Sequence, residues 1–371
     1  MKIEVAGIIL AGGNNERLGM LTAERATSAM PVAGCYRAID FTLSNMTNSG
    51  VKKVAVITQY NSRSLRDHLS SSKWWDFGRK QGGLYVFSPF TSKGGSMWFR
   101  GTADSIYQNM PFLQRSSEKY ILIVNGNGIY KMDYSELLDY HIESGAEISI
   151  AYQKLNGRDF SKAGMLELDE NSVITSFEEK PVVSEYDKMS MGIYVMERKL
   201  LIELLEEIVP RGHYDITRDI IIRYSKTLKV CWYEFDGYWN AINDIESYLN
   251  INMDFLNKSV RDEILNDYPY IYTKPKDEPP AKYNPGAAVK TAIIGDGTIL
   301  NGLVENSVLF RKVYVGDNSV VKNSIIMEDS HVGNNCHIEN AIIDKEAVIS
   351  DGKHIIGTLE EPYIITKGMI V

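Results

Sequence analysis

Four short stretches of this chain carry residue types suited to binding phosphates or sugars. Gly7 to Arg17, GIILAGGNNER, reads as a buried strand running into a glycine turn and ending on an arginine. Gly12 and Gly13 let the backbone turn tightly and present its N–H groups, as a phosphate site requires. Arg17 adds a planar donor fork that fits phosphate oxygens. The pattern is neither a Walker loop nor G-x-G-x-x-G, and a plain turn is the competing reading. Asn14-Asn15 stands where a phosphate loop would carry another glycine. Gly101-Thr102-Ala103-Asp104 opens a helix whose first N–H groups are available to a ligand; a simple cap explains it equally well. Phe177-Glu178-Glu179-Lys180-Pro181 ends a strand with a carboxylate for sugar hydroxyls and an ammonium for phosphate, or is merely a charged hairpin end. Asn125-Gly126-Asn127-Gly128 follows an apolar strand at the place where nucleotidyl transfer calls for an aspartate to hold Mg²⁺. Here the side chain is a neutral amide.

The elements that position these residues alternate between strand and helix. Apolar runs at 5–10, 53–58, 120–126 and 147–155 are separated by helical patterns at 39–48, 62–69, 102–114 and 134–144. This predicts an α/β domain with a mostly parallel sheet covered on both faces. Ligands of such sheets lie beyond the carboxyl ends of the strands. Those ends carry Ala11-Gly12-Gly13, Gln59 and Gly126-Asn127. Lys73 to Phe99 reads as an irregular excursion. Residues 160–255 mix hairpin-like strands, the helix KLLIELLEEI, an aromatic strand from Val230 to Trp239 and a closing helix from Ile245 to Leu256.

Five of the eleven prolines fall between Pro269 and Pro285, which marks a connector. Beyond it Val308, Tyr314, Val320, Ile326, Val332 and Ile338 recur at a spacing of six. That is a hexapeptide repeat, the mark of a parallel β-helix. The expected organisation is a first domain over 1–256, a linker over 257–285 and a β-helix over 286–371. His331 and His337 lie one period apart and are expected to stack on neighbouring flats. They read as a surface ladder, with a catalytic imidazole or a metal pair as the rival.

The net charge of −8 and pI near 5.4 argue against a nucleic-acid partner. Three scattered cysteines point to a reducing compartment without a disulfide framework. The N-terminus does not read as a signal peptide, and there is no long apolar window. A cytoplasmic protein without membrane contact is expected.

In order along the chain, these motifs resemble those of the glucose-1-phosphate adenylyltransferases, also called ADP-glucose pyrophosphorylases. LAGGNNERL, Tyr36-Arg37-Ala38-Ile39-Asp40-Phe41, Leu43-Ser44-Asn45, Thr58-Gln59-Tyr60, Gly101-Thr102-Ala103-Asp104, Glu179-Lys180-Pro181, Ser190-Met191-Gly192-Ile193-Tyr194 and Gly237-Tyr238-Trp239 are all similar to that family's motifs. The resemblance implies a nucleotidyltransferase domain followed by a left-handed parallel β-helix, a tetramer, and transfer of the adenylyl group of ATP to glucose 1-phosphate. It implies that Leu10, Ala11, Gly12, Gly13, Arg17, Gln59, Gly101 and Asp104 face the nucleotide. It places Gly164, Glu179, Lys180 and Ser190 against the sugar phosphate.

The departures fall on the chemistry. The family's metal-holding aspartates correspond to Asn127 and Ala241, and a phosphate-facing lysine corresponds to Thr27. The third loop glycine is Asn15, and a lysine associated with effector binding is Cys35. The pattern is similar to the family's regulatory, GlgD-type subunit. So are Asp67-His68-Leu69, Trp75-Asp76, Thr273 to Pro280 and Glu305 to Phe310. The resemblance then implies a chain inactive alone, with no catalytic residue or metal of its own, in a mixed tetramer with a catalytic homologue that holds Mg²⁺. ATP or ADP-glucose and glucose 1-phosphate are the candidate ligands. The alternatives are an active transferase using Asp244, Asp104 or another substitute carboxylate, and a ligand-sensing scaffold.

Overall fold

Val5 to Ala11 sends side chains alternately to two faces, and both are buried. Ile9 joins one apolar cluster and Ile8 the other. A strand apolar on both sides must lie within a sheet covered by helices. The computed structural model describes residues 4–371 except 79–81, 93–94, 97, 155–163, 169–173 and 180–186. Its first domain is built from β1 (Val5–Ala11), α1 (Ala38–Asn48), β2 (Lys53–Thr58), α2 (Arg63–Leu69), β3 (Gly83–Phe87), α3 (Thr102–Tyr107), α4 (Met110–Gln114), β4 (Tyr120–Asn125), β5 (Gly128–Tyr130), α5 (Tyr134–Ser144), β6 (Ile148–Lys154), β7 (Gly164–Leu168), β8 (Ile174–Glu179), β9 (Lys188–Glu197), α6 (Arg198–Ile208), β10 (Val230–Glu234), β11 (Trp239–Ala241), α7 (Ile245–Asp254) and α8 (Lys258–Arg261).

A nine-stranded sheet runs β8-β7-β9-β4-β1-β2-β3, with β6 on β9 and β10 on β6. Strands β4, β1, β2 and β3 are parallel. Strand β9 joins β4 antiparallel and carries the second half of the domain. Ile39 and Leu43 of α1 and Leu137 of α5 share the cluster of Ile9. Ile106 of α3 and Leu205 of α6 share the cluster of Ile8.

Three local expectations change. The stretch 73–99 contains β3, a parallel edge strand; its exposed Tyr85 and Val86 hide the burial pattern that marks an inner strand. The helix expected over 102–114 is two helices, because Pro111 sits in the first turn of the second, where its missing N–H costs nothing. Residues 258–266 are helical rather than connecting, and Ile264 is buried against the rest of the domain.

The β-helix begins with Lys282–Tyr283 pairing to Ile299–Leu300. Its middle coils repeat every 17 residues, with Val321 over Ile338 and Ile326 over Ile343, whereas Ala288 pairs with Leu303 and Ala341 with Tyr363 at other spacings. One side of each 17-residue coil is therefore a residue short of six. A strict count of six drifts, which is why Tyr314 and Val320 are only half-buried while Val315 and Val321 fill the core. Ile326, Val332 and Ile338 do point inward. Ile338→Ala is expected to cost about 2–5 kcal/mol in denaturant unfolding, against less than about 0.5 kcal/mol for Val320→Ala. His331 and His337 do not stack on one another. His331 stacks on Tyr314 at 4.5 Å and His337 on His354 at 6.0 Å, on different faces of the prism. Among the described residues no group of three or more His, Cys, Asp or Glu side chains is placed to hold a metal.

One face of the β-helix is glued to the first domain. Val308, Phe310, Ile325, Met327 and Ile342 share a buried cluster with Phe41, Tyr248 and Phe255. Across the same junction Arg25 pairs with Asp344 at 2.6 Å, both nearly sealed from solvent. Glu328 meets Lys276 at 2.7 Å and also contacts Lys345. Burial pushes the Glu328 carboxyl up, but Lys345 and Lys276 outweigh it and hold it down at about 2, below its ordinary 4.5. A carboxyl lowered on folding stabilises fully above its unfolded pKa and stops doing so as pH falls through the folded one. Wild-type stability should thus fall between about pH 4.5 and pH 2 by a step that Glu328→Gln lacks, read as the unfolding midpoint against pH. Among the described residues no helix is long and apolar enough to cross a membrane.

Candidate functional site

The carboxyl ends of β1 and β4 open into a cleft of about 570 Å³. Leu10, Ala11, Gly12 and Gly13 line it from β1, and Gln59 and Tyr60 from the end of β2. Gly12 lies so close to β2 that an added Cβ would stand 3.2 Å from the Cβ of Gln59, which explains a glycine there. Beside Gly13 there is only open space. The Gln59 amide grips the backbone of Phe99, accepting from its N–H at 2.7 Å and donating to its carbonyl at 3.3 Å. Gln59 therefore sets the wall that carries Arg100 and Gly101.

Gly101 reaches the cleft, but the helix start behind it is occupied. The N–H groups of Ala103 and Asp104 both donate to the Tyr214 carbonyl, at 2.7 and 3.3 Å. A Cβ on Gly101 would overlap that carbonyl. The first turn of α3 thus braces the 214–219 segment, which takes up the N–H groups of Ala103 and Asp104. Asp104 is not in the cleft lining. It is fully buried, accepts from the Arg100 N–H at 2.8 Å and guanidinium at 2.9 Å, and accepts from Gln108 at 2.9 Å. It is a positioning residue for Arg100, whose guanidinium also lies over the Tyr214 ring at 4.0 Å. Arg17 is a second correction. Leu18 and Leu21 are drawn into the junction core, so the turn of 3₁₀ helix at Glu16–Thr22 directs Arg17 to solvent, outside the cleft lining.

On the far wall Ser190 of β9 lines the cleft and its hydroxyl accepts from the Gly192 N–H at 3.3 Å. Gly164 and Glu179 are register partners on β7 and β8. Lys180 lies outside the described residues.

Asn127 and Ala241 are brought together. Strands β5 and β11 pair antiparallel with Ala241 opposite Gly128, so the two positions are neighbours, and both line the cleft. The Asn127 amide donates to the Ile242 carbonyl at 3.0 Å, and the Ile242 N–H returns to the Asn127 carbonyl at 3.1 Å. Asn15 donates to the next carbonyl, that of Asn243, at 2.9 Å. Two side-chain amides therefore clamp consecutive carbonyls of the loop after β11. This use of Asn15 was not legible in sequence beyond its standing in for a glycine.

The donor set does not fit a hard divalent cation, which takes carboxylate oxygens. Asp215 is the single acid among the described cleft-lining residues, and it accepts from Thr102 at 3.2 Å and from the Arg218 N–H at 2.9 Å. Asp244 is not in the lining; its carboxylate caps α7 through the Ser247 N–H at 2.8 Å. Thr27, in the place of the phosphate-facing lysine, is 8% exposed, and its hydroxyl has no hydrogen-bond partner among the described residues.

Sequence reasoning also missed Arg100, Tyr60 and the 214–217 segment. Tyr60 stacks on Trp98 at 5.1 Å, and both rings are exposed. Asp215, Ile216 and Thr217 line the cleft from the polar run HYDITRD, whose lack of apolar periodicity was the available signal.

Residues 6–258 match the Nucleotidyl transferase family, and residues 279–362 match the family described as GlmU-like, C-terminal hexapeptide. The glucose-1-phosphate adenylyltransferase of Halalkalibacterium halodurans is 38% identical over 323 residues, 86% of this chain and 84% of the relative. That of Clostridium novyi is 38% identical over 86% of this chain and 84% of its own length. That of Desulforamulus reducens is 39% identical over 85% and 80%. By that identity over most of its length, the chain belongs to the glucose-1-phosphate adenylyltransferase family.

Proposed function

We propose that this chain is a non-catalytic regulatory subunit, of the GlgD type, that joins a catalytic glucose-1-phosphate adenylyltransferase in a mixed tetramer and modulates its synthesis of ADP-glucose in glycogen formation. The observation that carries the reading is the pair Asn127 and Ala241, set side by side where the chemistry needs two carboxylates. An amide committed to the Ile242 carbonyl and a methyl group leave the triphosphate without the electrostatic clamp on which phosphoryl transfer depends. Neither Asp104 nor Asp244 replaces them, since both are engaged away from the cleft.

Residues resembling the regulatory branch gather elsewhere, at the domain junction. His68 contacts the buried Asp40 at 2.6 Å and packs edge-on to Trp75, while Lys276 and Phe310 reach the β-helix interface. Cys35 is there too, and burial pushes its thiol up to about 11, so the position supplies no charge. A junction kept intact beside a dismantled reaction centre fits a subunit that works through its contacts. The coupling would act as a shift between two states of the partner.

Co-expression with a catalytic homologue is expected to give a stable mixed complex whose kcat/KM or effector response differs from the homologue alone by at least about fivefold. Separate homo-oligomers with unchanged kinetics would rule the role out. ADP-glucose synthesis by the pure chain that Asp244→Ala abolishes would make it an enzyme instead. A complex that leaves kinetics untouched would reduce it to a scaffold.

A further inference from the structure

We propose that two copies of this chain pair through one face of the β-helix, the face whose outward ladder is Ile299, Tyr314, His331, Val348 and Ile370. The pairing concerns the chain's own surface and does not rest on the regulatory reading above.

The prism has three faces, and their outward side chains differ in kind. One face sends Val308, Ile325 and Ile342 into the cluster shared with the first domain. A second carries Lys290, Glu305, Lys322 and Glu339 in register on successive coils. Lys290 meets Glu305 at 2.6 Å and Lys322 meets it at 3.7 Å, so this face balances its own charges and suits water. The third face is of another composition. Ile299 stacks on Tyr314, Tyr314 on His331, His331 on Val348, and Val348 bridges to Ile370, so one outward residue per coil forms a single line. Ile370 is 74% exposed, and Ile299 and Val348 are exposed too. The line becomes charged at its first rung, where Lys282 pairs with Ile299. At about 4.8 Å per rung, the five residues from Ile299 to Ile370 run for about 19 Å. An apolar and aromatic line depleted of charge has the composition of an interface core, not of a solvated face.

The order of the residues says what covers it. A two-fold interface sets a patch against its own reverse. Reversed about His331, the line sets Tyr314 against the partner's Val348 and Ile299 against the partner's Ile370. The corner beside it matches in the same way. Lys312, Asp329 and Glu346 stand two residues ahead of Tyr314, His331 and Val348, each at a left-handed φ. The Lys312 and Glu346 side chains are both well exposed. The reversal sets Lys312 against the partner's Glu346, and does so twice per pair of copies, whereas Asp329 meets its own like once. Such complementarity to its own reverse points to a second copy as the occupant. The opposite corner carries Asp317 and Asp351, so the two faces close on the Lys312–Glu346 side.

Sedimentation velocity of the whole chain at about 10 µM is expected to show an even-numbered oligomer. Val348→Asp and Ile370→Asp should each weaken the pairing at least about tenfold, and His354→Asp, on the charged face, should leave it unchanged. Lys312→Glu should weaken it at least about tenfold, and adding Glu346→Lys should restore it, because the reversed faces then meet with the signs exchanged. His331→Cys should be joined to its own copy by a bis-maleimide that reaches about 10 Å, the separation of packed sheets, while Val320→Cys and the unaltered chain are not. Unfolding midpoints establish that each variant folds. A monomeric chain at that concentration overturns the proposal, and so does an oligomer that both aspartate variants leave intact. Cross-linking at position 331 no stronger than at 320 overturns it as well. So does a charge-exchanged double variant that pairs no better than Lys312→Glu, since the reversed order is what selects a second copy.

Discussion

Purified alone and given ATP, glucose 1-phosphate and Mg²⁺, the chain is expected to form ADP-glucose about 10⁴-fold more slowly than a catalytic homologue. The figure follows from two absent metal ligands at about 3 kcal/mol each in the transition state, with every 1.36 kcal/mol a factor of ten. Their positions are neighbours at the end of the β5–β11 ribbon, where Ala241 pairs with Gly128, so both losses fall on one place. The double variant Asn127→Asp, Ala241→Asp should recover at least about tenfold, because both carboxylates return to one place. Full recovery is not expected while Thr27 stands in for a lysine and Asn15 for a glycine. Coupled-assay or radiochemical detection of ADP-glucose in both proteins measures this. Wild-type turnover within a factor of ten of the homologue would refute it.

The second large effect lies at the junction. Asp344→Ala should destabilise the chain by about 3–5 kcal/mol, because it strands the Arg25 guanidinium in a site with almost no water. Among the described residues, the further hydrogen-bond partner of the Arg25 guanidinium is the Met327 sulfur, at 3.3 Å. The double variant Arg25→Met, Asp344→Leu should come close to wild type, since removing both charges also removes their desolvation cost. Denaturant unfolding midpoints of the three proteins separate these outcomes. An Asp344→Ala midpoint equal to wild type would mean that the pair contributes nothing. Thr27 and Ser28 follow Arg25 by two and three residues and line the cleft. The single variant should therefore also weaken ligand binding, while leaving the β-helix coils intact.

Much of the architecture could be read from apolar periodicity. The runs that became β1, β2, β4 and β6 are continuous and flanked by glycine or polar residues, so their burial was legible. Strand β3 was not, because its outer edge exposes Tyr85 and Val86. The β-helix was legible as a repeat but not in phase, since a 17-residue coil moves the inward residue from Val320 to Val321. At the cleft, the glycine turn, Gln59, Gly101, Ser190, Asn127 and Ala241 line one space. Arg17 and Asp104 do not, because a side chain's direction depends on what its neighbours bury. Leu18 and Leu21 turn Arg17 outward, and Asp104 is consumed by Arg100. The pairing of Asn15 with Asn243 joins residues 228 apart in sequence, and local pattern holds no trace of it.

The amide clamp also gives the chain a direction in sequence change. Restoring Asp at 127 alone would set a carboxylate against the Ile242 carbonyl, which the present amide meets as a donor at 3.0 Å. Restoring Asp at 241 alone would add a charge with no metal to share it. On the non-catalytic reading proposed above, neither single substitution supplies a pair of carboxylates for a cation, so a gain in catalysis is expected only when both positions change together.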